Sequence, residues 1–358
     1  MSPTQLLFAV VLLGITGPAM SARSMEVFGM EGKVPKNHHM VTLEKPSKLL
    51  TDLRSFSTGT ARELMSKRPK RSSEHHITDC IFMSSEEGDY FHKATVADGT
   101  VCGAYIFTEP DQNIEIYISY LNVPCENGGL VVVVDGWELN GEFFPSPEDH
   151  PRPMRTRMTE LCGQKKIKKV FVSSQNVALI QYRMPARGSS FSFYVRFIKN
   201  PNPCNILFQT DDVYTLRNYG RKSNCSLSTL FPATVTVAAL DVGLVPVGGL
   251  SSGPRRAAVI ELETGIVHKC QMKGLEDYVQ IGGSAGLDNN NLMVADTVCG
   301  LASKPGKHPN VIACDTTTVR LVSSGEYDNS VTVYLRQLDE QDINGFMDVV
   351  CLPDEIQK

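Results

Sequence analysis

Phe191-Ser192-Phe193-Tyr194-Val195-Arg196-Phe197 alternates with a period of two: Phe191, Phe193, Val195 and Phe197 share one face, with polar or amphipathic side chains on the other. Successive side chains of a strand point to opposite sides of the sheet, so this stretch reads as a strand with one buried face. Working outward, Ile114-Glu115-Ile116-Tyr117-Ile118-Ser119-Tyr120 places its three isoleucines and Tyr120 on one face. Val331-Thr332-Val333-Tyr334-Leu335-Arg336 repeats the arrangement. Leu130-Val131-Val132-Val133-Val134 is a continuous run, mostly β-branched, closed by the turn pair Asp135-Gly136. After Cys80 no stretch keeps a 3.6-residue period for long. Many short strands separated by Gly and Asn turns predict an all-β chain of sandwiches.

The ten cysteines are Cys80, Cys102, Cys125, Cys162, Cys204, Cys225, Cys270, Cys299, Cys314 and Cys351, an even number confined to the strand-rich region. That distribution belongs to an oxidising compartment. Ten cysteines allow far more complete pairings than the 105 open to eight, so the sequence leaves the connectivity open. Locality favours consecutive pairs, each closing a loop that stabilises by roughly 3–4 kcal/mol in the chain-entropy model.

The N-terminus supplies the compartment. Leu6-Leu7-Phe8-Ala9-Val10-Val11-Leu12-Leu13 is apolar but shorter than the roughly 20 residues that cross a bilayer. Gly14, Gly17 and Pro18 break it, and Ala19-Met20-Ser21 supplies small residues for cleavage. Residues 1–21 are expected to be a signal peptide and the product secreted and extracellular. Residues 22–71 are polar and basic and read as a disordered pro-segment or linker that ends in Arg68-Pro69-Lys70-Arg71, the spacing cut by furin-like proprotein convertases. With 35 Lys and Arg against 39 Asp and Glu, the net charge of −4 offers no basic stripe for nucleic acid.

The pattern then occurs twice. Cys80, Cys102, Cys125 and Cys162 come before Asn176-Val177-Ala178-Leu179-Ile180 and the Phe191–Phe197 strand, and Cys204, Cys225, Cys270 and Cys299 stand likewise before Thr318-Val319-Arg320-Leu321-Val322 and the Val331–Leu335 strand. A Ser-Ser pair stands near each late strand, Ser173-Ser174 and Ser323-Ser324. Asn200-Pro201-Asn202-Pro203 marks the boundary, since two prolines disfavour helix and central strand. The expected domains are 72–200 and 201–358, the second carrying the C-terminal tail pinned through Cys314 and Cys351.

The paired cysteines resemble those of CUB domains, antiparallel jelly-roll sandwiches with two local disulfides. Asp277-Tyr278-Val279-Gln280-Ile281 looks like the CUB strand after the third cysteine, and Gly188-Ser189-Ser190-Phe191-Ser192-Phe193-Tyr194 like the closing strand. The segment from about Cys80 to Cys351 is more closely similar to the corticotropin-releasing factor binding proteins. The motifs that carry this are Asp135-Gly136-Trp137-Glu138-Leu139-Asn140-Gly141-Glu142-Phe143-Phe144-Pro145-Ser146, Asp149-His150-Pro151 and Ser173-Ser174-Gln175-Asn176-Val177-Ala178. Val322-Ser323-Ser324-Gly325, Pro203-Cys204-Asn205, Asn224-Cys225-Ser226 and Arg336-Gln337-Leu338 add to them. The resemblance implies two tandem disulfide-stapled CUB-like jelly-roll β-sandwiches with cysteines paired consecutively. It also implies a secreted glycoprotein that sequesters corticotropin-releasing-factor-like peptide hormones and limits receptor activation. For an insect chain the ligand would be the related diuretic hormone.

Asn224-Cys225-Ser226 is a glycosylation sequon at Asn224. The loop after Asp135-Gly136 carries Trp137, the only tryptophan, with Phe143 and Phe144, rings that serve either as ligand anchors or as packing that orders the loop. Many CUB domains hold Ca²⁺ through several oxygen ligands. Here Gly128-Gly129 occupies one such position, and Ser323-Ser324-Gly325 stands where Ser-Asp would accompany Asp277. His38-His39 and His75-His76 lack ligand spacing, and oxidised cysteines offer no thiolates for zinc. No cofactor is expected.

Neither a His-Glu-x-x-His helix nor a Gly-x-Ser-x-Gly elbow on an α/β pattern is present, so a binding protein is expected and not an enzyme. An extracellular assembly or matrix adaptor built from CUB-like domains is the competing reading. Pro246 to Arg256 reads as a surface insertion. Protein secreted by a convertase-competent cell is expected to begin at Ser72 by N-terminal sequencing, and Arg71→Ala to retain the basic segment. A wild-type N-terminus near Ala22 rejects cleavage.

Overall fold

The period-two segments become strands in a computed structural model that describes residues 73–164, 167–244, 263–343 and 345–351. In the first half, β1 (Glu74–His76), β2 (Ile81–Ser84), β3 (Gly88–Lys93), β4 (Val101–Phe107), β5 (Gln112–Val123) and β6 (Leu130–Asp135) come first. A short hairpin of β7 (Trp137–Leu139) and β8 (Glu142–Phe144) follows, then β9 (Met158–Leu161), β10 (Gly163–Gln164), β11 (Val170–Val172), β12 (Val177–Arg183) and β13 (Ser190–Lys199). They form two sheets, ordered β1-β3-β13-β5-β10 with β11 also on β5, and β2-β4-β12-β6-β9.

The second half repeats this plan with β14 (Asn205–Leu207), β15 (Asp212–Arg217), β16 (Cys225–Thr229), β17 (Ala233–Val242), β18 (Val267–His268), β19 (Tyr278–Ser284), β20 (Met293–Ala302), β21 (Asn310–Ala313), β22 (Thr316–Val322), β23 (Ser330–Gln337) and β24 (Val349–Val350). The order β14-β16-β22-β19 matches β2-β4-β12-β6, and β15-β23-β17 matches β3-β13-β5. β14 runs parallel to β16 as β2 does to β4. The structure is two tandem CUB-like jelly-roll sandwiches, with five disulfides: Cys80–Cys102, Cys125–Cys162, Cys204–Cys225, Cys270–Cys299 and Cys314–Cys351.

Each sandwich closes over its own apolar layer. Ile114, Ile116, Ile118, Phe191, Phe193 and Val195 meet in the first core, and Val331, Val333 and Leu335 in the second. Tyr120 departs from the alternation and is 46% exposed. The β5–β13 register shifts so that Phe193 faces Ile118 while Ser192 faces Tyr120. The extra residue, Ser119, is a bulge, and it resets the face so that Leu121 and Val123 turn inward. The run Leu130–Val134 lacks alternation for a structural reason. Val131 and Val133 enter the first core, whereas Val132 and Val134 are buried on the other face of the same sheet.

That other face is where the halves join. Val132, Val134, Tyr105, Val177 and Leu179 of the first sandwich pack with Leu207 and Leu287 of the second. Asn176 seals the edge: its Nδ2 donates to the Leu207 carbonyl at 2.8 Å and its Oδ1 accepts the Leu207 N–H at 3.0 Å. Glu142 Oε2 accepts the Leu287 N–H at 2.7 Å. A Cβ at Gly286 would collide with that Glu142 carboxylate, so glycine permits the approach.

Arg320 reaches from β22 to Asp149, its Nε lying 2.9 Å and its Nη2 2.5 Å from Oδ1. The Asp149 side chain is wholly buried and Arg320 nearly so. Burial works against the guanidinium charge, but Asp149 more than offsets it and raises the Arg320 pKa. Removing one member of a buried pair strands the other, at a cost of about 3–5 kcal/mol. Arg320→Ala is therefore expected to lower unfolding stability by about that amount in denaturant titrations. An unchanged midpoint would show that the contact contributes nothing to joining the halves.

Candidate functional site

The β7–β8 hairpin positions the three rings singled out in the sequence. Trp137 faces Phe144 across it, and Glu138 faces Phe143. Asp135 and Gly136 turn the chain into the hairpin, and Gly136 sits at φ 115°. A side chain there would strike the Phe144 carbonyl and the Arg157 guanidinium. Trp137 is 2% exposed and Phe144 1%. Trp137 Nε1 donates to the carbonyls of Ile106 and Ala178, at 3.2 and 3.1 Å. Its ring meets Tyr105 edge-on at 5.4 Å.

Both rings belong to the apolar cluster between the sandwiches, together with Leu207 and Leu287. In this structure they pack and order the loop, and neither turns a face to solvent. Phe143 alone of the three is half-exposed, with the Arg157 guanidinium 5.7 Å from its ring.

A polar network holds the base of the hairpin. Asp135 accepts the Ser174 N–H at 2.6 Å, the Ser174 hydroxyl at 2.7 Å and Gln175 Nε2 at 3.0 Å. His150 Nε2 and Arg152 Nη1 lie 3.4 and 3.1 Å from it. Burial acts to raise the Asp135 pKa, but the contacts from His150 and Ser174 outweigh it and hold the carboxyl below its ordinary range. Arg157 is buried and donates to the carbonyls of Asp135, Pro145 and Phe144. Its burial pulls the guanidinium down to about 10, opposed by Asp135.

The two Ser-Ser pairs are not topological equivalents. Ser173-Ser174 precedes β12, whereas Ser323-Ser324 follows β22, the matching strand. Each nevertheless caps a buried carboxylate at a sheet end. Asp277 accepts the Ser324 N–H and hydroxyl at 3.1 and 2.6 Å and Asn329 Nδ2 at 2.6 Å. Protein donors thus occupy both Asp277 oxygens. Among the described residues no group of three or more His, Cys, Asp or Glu side chains gathers where it could hold a metal.

Asn224 is half-buried and adjoins buried Cys225, which is bridged to Cys204. The His75 ring stacks on Tyr90 at 4.6 Å. Arg71, His38-His39, the leader and the Pro246–Arg256 insertion lie outside the described residues.

A cleft of about 640 Å³ opens where the two halves meet, lined from the first by Phe107, Glu109 and Phe197 and from the second by Phe208, Asp212 and Tyr214. Sequence reading missed it, because its walls come from separate stretches between Ser85 and Tyr214 whose meeting periodicity does not report. Among the described residues no helix is long and apolar enough to cross a membrane.

Fold and junction together define a disulfide-crosslinked protein of two CUB-like units joined through a shared apolar layer. Residues 73–199 match the corticotropin-releasing factor binding protein N-terminal domain, and residues 206–344 match the C-terminal domain of the same family. The corticotropin-releasing factor-binding protein of Rattus norvegicus is 31% identical over 79% of this chain and 82% of its own length. That of Homo sapiens is 31% identical over 80% and 83%, and that of Xenopus laevis 33% identical over 73% and 77%. The chain belongs to the corticotropin-releasing factor binding protein family. Among solved structures, the CUB1-EGF-CUB2 domains of rat MASP-1 align with 71% of this chain and 99% of that chain, at 11% identity and TM-score 0.24.

Truncating a buried Trp or Phe costs about 3–5 kcal/mol. Trp137→Ala is therefore expected to lower unfolding stability by about that amount, while Phe143→Ala costs about 1 kcal/mol or less, as is usual for partly exposed sites. Equal losses in the two variants would contradict the packing described here.

Proposed function

We propose that this chain binds a corticotropin-releasing-factor-like peptide outside the cell and sequesters it, so that less peptide reaches its receptor. The observation that carries this is the match of both halves to the two domains of one family, together with relatives named for binding corticotropin-releasing factor. Fold alone would not supply it, because one architecture hosts many functions. In an insect the ligand is the diuretic-hormone-like member of the peptide class.

Secretion agrees with the apolar leader and with five disulfides, which persist in oxidising compartments. In this reading the mature protein starts at Ser72 after cleavage at Arg71, carries a glycan on Asn224 and comprises the domains 72–200 and 201–358. Phe143 is the ring of the hairpin left free to touch a ligand. Binding without chemistry is the role assigned, and the buried carboxylates Asp135 and Asp277 hold loops in place.

The test is an anisotropy titration of labelled synthetic corticotropin-releasing factor with the secreted, disulfide-intact protein. Saturable binding in the nanomolar range, lost on reduction, is expected. No binding up to several micromolar from a folded sample rejects the function and favours the extracellular adaptor.

A further inference from the structure

The cleft between the sandwiches has the composition of a peptide groove. Phe107 and Phe197 face it from the first sandwich, and Phe208, Val213 and Tyr214 from the second. Val213 is 52% exposed, although it lies in a strand. Among the described residues β15, which carries Val213 and Tyr214, pairs only with β23, so its second edge is unpaired. A pocket of about 640 Å³ falls within the roughly 300–1,000 Å³ range of ligand sites, which favour domain junctions. It has room for a few large side chains and not for a whole helix.

The charge is one-sided. Glu109 and Asp212 line the cleft, and among the described residues no Lys or Arg does. Further carboxylates stand beside it: Glu87 accepts the Phe197 N–H at 2.6 Å and Asp211 the Gln337 N–H at 2.8 Å. Burial first, then Tyr219 and Asp111, raise the pKa of Tyr214, which keeps the phenol protonated and able to donate a hydrogen bond. Leu207, in the floor of the cleft, is held by Asn176 of the other sandwich. The cleft is complete only when both halves are docked.

We propose that this cleft holds the apolar anchors of the bound peptide, a segment whose large side chains enter between Phe107, Phe197 and Tyr214 while flanking Lys or Arg residues face Glu109 and Asp212. The assignment rests on the peptide-binding function above. Desolvated aromatic pockets concentrate binding energy, whereas rim charges govern association and its salt dependence. A cation beside Phe or Tyr gains further attraction from the ring face. An anionic or wholly apolar peptide does not fit this rim.

The test is anisotropy with labelled synthetic corticotropin-releasing factor and full-length, disulfide-intact protein at low and high salt. Thermal unfolding checks each variant, and all the substituted positions are exposed or half-exposed. Wild-type affinity is expected to fall with salt. Glu109→Lys/Asp212→Lys should weaken low-salt binding by about tenfold or more and flatten the salt dependence, and Val213→Arg should weaken it by a similar factor at both salts. Glu126→Lys/Glu276→Lys makes the same change in net charge outside the cleft and should stay within about twofold of wild type.

A cleft variant that binds within about twofold of wild type, or a control that loses as much as the cleft pair, overturns the assignment while peptide binding stands. Wild-type protein that fails to bind overturns both.

Discussion

One buried layer between the two sandwiches organises this molecule. Trp137 and Phe144 from the β7–β8 hairpin lie with Leu207 and Leu287 against the outer face of the β6–β12 sheet. A sheet exposed on that face would present Val132, Val134 and Leu179 to water, and removing such side chains from water is worth roughly 1.5–3 kcal/mol each. The hairpin and the second sandwich are thus the lid on a surface that the first cannot leave open. Asn176, Glu142 and the Asp149–Arg320 pair surround this layer and satisfy the polar groups that docking buries. An apolar contact is tolerant of sliding, whereas directed hydrogen bonds are not, so these contacts fix the relative placement of the halves.

The disulfides work at a different level. The bridges span 21 to 37 residues within a sandwich. Cys80–Cys102 staples β2 to β4, and Cys204–Cys225 staples β14 to β16 at the same place in the repeated topology. Such crosslinks restrict the unfolded chain and secure short parallel edge strands whose own pairing is weak. None crosses the junction, where the association rests on packing and hydrogen bonds. Local covalent closure and non-covalent docking together give a pair of sandwiches with a composite cleft.

The site follows from that division of labour. Two of the three hairpin rings, Trp137 and Phe144, are consumed by the junction. Three partly open rings, Phe107, Phe197 and Tyr214, gather where strands of different halves end side by side. The buried carboxylates Asp135 and Asp277 look at first like catalytic or metal-binding groups. Each has its oxygens engaged by Ser, Gln or Asn donors and serves to pin loops at the ends of sheets.

Strands, sandwich class and family were legible in the sequence, because a one-sided buried strand must alternate and the motifs around Trp137 and Ser173-Ser174 are contiguous in the chain. The same logic misplaced Tyr120, since one inserted residue, Ser119, reverses the face and leaves no local mark. It left open whether Trp137 and Phe144 pack or bind. Their covering partners, Leu207 and Leu287, lie some 60 to 150 positions away along the chain, and periodicity reports which face is apolar but not what covers it. The acid-rimmed cleft has no sequence signal at all, for it is made by docking two separately patterned halves. What the chain determined alone was local burial and alternation; which apolar faces meet each other, and which remain for a ligand, was decided only when the sandwiches came together.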